Sequence, residues 1–237
     1  MQQRARRVRL GPAGIIAALA ACAALAWPPA AGGAQLRTTG APPSMSSAKH
    51  ELLRLSDFPK GWEAAGKHSS SSRATSSTQL DQIAKCEGIS VSQLGRSAAA
   101  GTSFLDPKTV QVVLEFVTAF SSTASASKAY DIFGSPKARR CLGPWFSKAI
   151  TSKGVGKIAA STLSVARLAF PKEGSATTAF RLGIREKVVG HEVQMQVEFV
   201  VILRGSSLAL LVPVSGAKPL PNALVYSLGK KAATLLQ

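Results

Sequence analysis

Three histidines, three cysteines and a scatter of serines and carboxylates are the side chains whose chemistry could reach beyond packing. His191-Glu192 sets an imidazole beside a carboxylate, the raw material of acid–base catalysis. Adjacent side chains on a strand point to opposite faces, however, and Val189-Gly190-His191 reads as a turn, so the pair does not converge. Serines are plentiful, but no G-x-S-x-G elbow occurs, and the histidines give no specific Ser-His-Asp set. Neither a phosphate-binding G-x-x-x-x-G-K-[ST] loop nor a dinucleotide G-x-G-x-x-G turn is present. Lys153-Gly154-Val155-Gly156-Lys157 reads as a loop rather than an anion cradle. The expectation is a protein that is not an enzyme and uses no cofactor.

The cysteines are more telling. They stand at 22, 86 and 141, and Cys22 lies inside an apolar N-terminal run. Setting it aside leaves a pair, which in an oxidising compartment points to a Cys86–Cys141 disulfide. No finger-like spacing joins these cysteines to His50, His68 or His191, so a metal site is not expected.

The N-terminus places that pair outside the cytoplasm. Arg4, Arg6, Arg7 and Arg9 precede the apolar stretch Ala13 to Trp27, and Pro28-Pro29 breaks it before small residues. The stretch falls short of the roughly 20 residues a membrane span needs, so 1–34 reads as a signal peptide cut after Ala34. A second ending stays open: Leu19-Ala20-Ala21-Cys22 matches a lipobox, which would lipidate Cys22 and hold the protein peripherally on the membrane. Residues 35–49 are rich in Pro, Ser and Thr and read as a flexible linker. Residues 50–237 then form a single domain.

The chain carries a formal charge of +17, and the four arginines of its first 34 residues, which include no acid, leave +13 for the remainder. Such a body favours anionic surfaces, such as wall polymers or lipid head groups. Its only tight basic pairs are Arg139-Arg140 and Lys230-Lys231, and no stacking aromatics interleave them. Nucleic acid is therefore not an expected partner.

The elements follow from periodicity. Glu51 to Trp62 starts with an apolar helical turn and ends in Pro-x-Gly-Trp, which places an aromatic. Thr109 to Phe120 is a strand, with Val110, Val112, Leu114, Phe116 and Phe120 on one face and Val113 and Val117 on the other, so both faces are covered. A capped helix spans Ser122 to Gly134, and a further helical stretch carries Cys141, Trp145 and Phe146. Strands follow at 159–170, 176–187, 192–203 and 207–214, the middle ones pairing as an antiparallel meander across turns such as Arg204-Gly205-Ser206. Glu192, Gln194, Gln196 and Glu198 share a face that reads as solvated. A helix with Leu224, Val225, Leu228, Ala232 and Leu235 on one face closes the chain. The sum is an α+β domain, with an antiparallel sheet of five to six strands packed between helices.

Asp57-Phe58-Pro59-Lys60-Gly61-Trp62, Cys86 after a short helix, the strand to Phe120 with its helix and Cys141, Phe180-Arg181 and the terminal helix make a familiar series. In these the chain resembles exported sensor-like domains of actinobacteria, including the extracellular domains of certain mycobacterial serine/threonine kinases and related small lipoproteins. The resemblance implies a Mog1/PsbP-type sandwich. The chain departs from the kinase-linked members in having no kinase domain and no lasting transmembrane helix. That favours a free-standing ligand-binding or envelope-assembly role over signalling.

The expected function is an exported, secreted or envelope-associated binding or sensing module for a small amphiphilic ligand or a partner protein. Tyr130, Trp145, Phe146 and Trp62 are the candidate lining, in a space between the sheet and the helices carrying Tyr130 and Trp145. Two rivals stand beside it. One is an electrostatic adhesion module for anionic wall polymer or lipid; the other is a secreted hydrolase whose site is not evident.

Overall fold

A computed structural model describes residues 45–65, 84–90, 94–138, 140–141, 162–188, 191–216 and 218–236. Its centre is a seven-stranded antiparallel sheet. The strands are β1 (Glu63–Ala64), β2 (Arg96–Asp106), β3 (Gln111–Phe120), β4 (Thr162–Arg167), β5 (Ala176–Val188), β6 (His191–Arg204) and β7 (Ser207–Ser215). They lie side by side in the order β1-β2-β3-β7-β6-β5-β4. Two sequence-local blocks thus meet at one non-local seam, where β3 pairs with β7 from Val112↔Val214 to Ala119↔Ser207.

Seven strands replace the five to six expected, and the difference lies in the first block. β2 is built from Arg-Ser-Ala-Ala-Ala-Gly-Thr-Ser-Phe-Leu-Asp, whose small residues carry little strand propensity. It is a strand because β3 pairs along it from Arg96↔Phe120 to Asp106↔Gln111. β3 itself starts at Gln111 rather than Thr109, because Asp106 closes the preceding turn by accepting from the Lys108 N–H and the Thr109 hydroxyl. His191 opens β6 opposite Val188 instead of sitting in a turn.

Helices pack on both faces of the sheet. α1 (Met45–His50) lies over β2 and β3; α2 (Thr123–Gly134) and α3 (Asn222–Leu235) cross its two faces. Ser122 caps α2 by accepting from the Ser125 N–H at 3.1 Å. The end of the segment read as linker is therefore helical, and Ala48 sits wholly in the core.

The sheet separates two apolar layers. On the α2 side, strand register lines up Leu105, Val112, Val214, Val197, Leu182 and Val165 across six strands. Phe120 and Phe180 are buried in the same layer, each stabilising by about 2–3 kcal/mol. On the other side, α1, α3 and the segment carrying Leu53, Phe58 and Trp62 cover Val113, Val117, Val200 and Ile202. Both faces of β3 are covered, as its sequence requires.

The Cys86–Cys141 disulfide is present, with Cα atoms 6.3 Å apart. It joins the helical turn at 84–87 to the helical residues 136–138 and 140–141, and Ala84 and Ala138 lie in the α2-side layer. Glu87 reinforces the junction: its carboxylate accepts from the Ser135 hydroxyl, and its backbone carbonyl from Lys137 Nζ.

Candidate functional site

Of the sequence-derived aromatics, the two among the described residues, Tyr130 and Trp62, lie on opposite faces of the sheet. Tyr130 projects from α2 into the layer holding Phe120 and Phe180, where it is half-buried. Trp62 is buried on the opposite side of the sheet, its ring 5.0 Å from that of Phe58, which in turn lies 4.2 Å from Phe104. One pocket cannot hold both Tyr130 and Trp62. Trp145 and Phe146 lie outside the described residues, as do Cys22, the signal and most of the linker.

The Asp57-to-Trp62 motif accordingly works as a packing device. The Asp57 carboxylate accepts from the Arg54 N–H at 2.8 Å, and the backbone N–H of Asp57 returns a bond to the Arg54 carbonyl at 2.9 Å. Gly61, at φ 99°, turns the chain so that Trp62 points back to the sheet.

Around Tyr130 the apolar layer reaches a rim. Val165, on the edge strand β4 that also carries Arg167, packs on this layer only partly buried. Burial raises the Tyr130 hydroxyl above its usual pKa, and the positive charge of Arg167 on β4 works against that rise. A half-buried phenol, an apolar floor and a cation therefore stand together at the outer end of this layer.

The other layer holds a carboxylate that no sequence motif marks. Glu115 projects from β3 between Val113 and Val117 and is completely buried. Its Oε2 accepts from the Leu53 N–H at 2.6 Å. Burial pushes its carboxyl up to about 8; the Leu53 bond opposes the rise and the nearby Asp57 charge adds to it. The signal was present: a lone acid on a strand covered on both faces must point into a core. Glu115 is closed to solvent, so it meets no substrate and is not positioned as a catalytic acid.

Glu198 corrects the expectation of a solvated face on β6. It is only 5% exposed, and Arg181, its cross-strand neighbour on β5, donates to Oε1 through Nε at 3.0 Å and Nη2 at 2.7 Å. α3 covers Val200 and Ile202 next along the same face, and burial extends as far as Glu198. Gln194, further out, is exposed. Among the described residues no group of three His, Cys, Asp or Glu side chains could hold a metal ion.

Neither a scan of protein families nor a comparison with curated proteins gives a match. Among solved structures, the chain is similar to the extracellular domain of PknH from Mycobacterium tuberculosis. That likeness has a TM-score of 0.47 at 13% identity, over 83% of this chain and 96% of that one. Among the described residues no helix is long and apolar enough to cross a membrane.

Proposed function

We propose that the chain is an exported, non-enzymatic envelope protein that binds or senses a small amphiphilic ligand, or an apolar segment of a partner protein, between the sheet and α2. The observation that carries this reading is the juxtaposition of Tyr130 with Arg167 at the rim of the α2-side apolar layer. An apolar tail would lie along the row ending in Leu182 and Val165, with its polar head meeting the Tyr130 hydroxyl and Arg167. The disulfide anchors Cys141 against this layer, and Trp145 and Phe146 follow shortly after it in the chain, which supports their place in the lining. Export rests on residues 1–34, with Cys22 either removed or lipidated.

The test is a titration of the delipidated protein with a fluorescent fatty-acid analogue. Saturable binding that Tyr130→Ala weakens supports the reading. The second reading, electrostatic adhesion to an anionic polymer or lipid surface, is favoured by the formal charge of +13 that remains beyond residue 34. It requires binding that collapses with added salt and ignores Tyr130.

A further inference from the structure

The face of the sheet opposite α2 carries a second feature, on β4, β5 and β6 beyond the cover of α3. Register sets Ser164, Gly183, Gln196 and Ser215 in one row and Arg181 beside Glu198 in the next. Ser164 is exposed, Gly183, Gln196 and Arg181 are half-buried, and Glu198 lies at the bottom. Gly183 lowers the floor, and the Ser164 hydroxyl leans over it: a Cβ at Gly183 would stand 2.7 Å from that oxygen.

Among the described residues, two acceptors here are buried without a hydrogen-bond donor, Glu198 Oε2 and Gln196 Oε1. The Arg181 fork closes on Oε1 of Glu198 alone, so the second carboxylate oxygen is left over. The backbone is interrupted at the same point. Pairing of β6 with β7 passes from Val197↔Val214 to Val200↔Leu211, and Pro213, with no N–H to donate, falls in the gap. Buried acceptors of this kind are destabilising when no donor reaches them.

We infer that this part of the sheet face is a binding site for a neutral polyhydroxylated ligand of the sugar class, held by hydroxyl donors on Glu198 Oε2 and Gln196 Oε1. The two acceptors belong to residues two apart on one strand, about 7 Å along it, so one ring-sized ligand can reach both. Arg181 already balances Glu198, and Arg185 lies exposed further along β5. A cationic ligand would meet both guanidinium groups; a neutral hydroxyl donor meets no such repulsion. The Ser164 hydroxyl can both give and accept a bond at the rim. This site is separate from the Tyr130 layer and does not depend on it.

The experiment is saturation-transfer NMR on the full exported chain with free glucose, galactose, arabinose, mannose and N-acetylglucosamine. Co-sedimentation with purified wall polysaccharide runs beside it. Saturable binding of a free sugar identifies a monosaccharide ligand; binding of the polymer alone identifies the wall glycan as its source. In either case Gln196→Ala and Gly183→Val weaken binding by about tenfold or more, the loss of one good hydrogen bond. Both positions are half-buried, and the Ser164 hydroxyl can rotate away from a new Cβ, so thermal melts check that both variants fold. Absence of binding by every sugar and by the polymer overturns the inference. So does binding that survives both substitutions, or a water molecule bridging the two acceptors in a crystal soaked with sugar.

Discussion

Glu115 Oε2 accepts a 2.6 Å hydrogen bond from the backbone N–H of Leu53, sixty-two positions earlier in the chain. This bond fastens the segment carrying Leu53, Phe58 and Trp62 to the middle of β3. It does so with a carboxyl whose pKa stands at about 8 instead of the ordinary 4.5.

The sign of the pH dependence follows. A carboxyl with a raised folded-state pKa binds its proton more tightly in the folded protein than in the unfolded chain. Its stabilising effect is complete below about pH 4.5, declines by up to about 1.4 kcal/mol per unit as pH rises, and is lost above about pH 8. Glu115→Gln keeps an acceptor for Leu53 and removes the titration. Urea midpoints at pH 5 and pH 8.5 differ for the parent protein, and the difference shrinks in the variant. An unchanged difference would assign the pH dependence to other groups.

Reducing the Cys86–Cys141 bond opens a loop of 55 residues' separation, which corresponds to about 4 kcal/mol on a chain-entropy estimate. The paired variant Cys86→Ala/Cys141→Ala melts well below the parent. Addition of a reductant lowers the parent's melting temperature and leaves the variant's unchanged.

Gly229 sits in the middle of α3, where alanine would ordinarily stabilise by about 1 kcal/mol. Here an added Cβ would come within 2.7 Å of the Phe170 ring, which also meets Tyr226 edge-on at 5.0 Å. Gly229→Ala therefore destabilises, by about 1–3 kcal/mol of overpacking against that gain. Adding Phe170→Leu restores part of the loss. Thermal denaturation of the single and double variants reads this directly.

Arg167 and Tyr130 divide the work in the proposed amphiphile site. Tyr130→Ala weakens binding of anionic and neutral amphiphiles alike, by about tenfold, because it removes apolar contact. Arg167→Ala weakens only the anionic ones. Titrations with a fatty acid and with its alcohol separate the two effects.

Much of this architecture was legible in the sequence, and the exceptions have physical causes. β5, β6 and β7 announce themselves by alternation and by the Arg204-Gly205-Ser206 turn, with Gly205 at φ 55°. β2 does not, because three alanines and a glycine carry no strand signal until β3 pairs with them. The alternation of β6 shows which residues share a face, but not where burial ends, so Glu198 lies buried where the pattern alone implies a solvated position. Trp62 and Tyr130 were grouped because both are large aromatics; only the crossing of the chain over two sheet faces separates them. Glu115 is legible, since an acid between Val113 and Val117 on a strand covered on both faces has a core on either side.

The most direct test of the binding role is native mass spectrometry of the protein purified from its own envelope and medium. The expected result is an oxidised chain, two hydrogens light, carrying a lipid-sized adduct that is lost on denaturation and is absent from Tyr130→Ala. An adduct-free protein whose amide NMR spectrum stays unmoved by amphiphiles would contradict a ligand site beside α2.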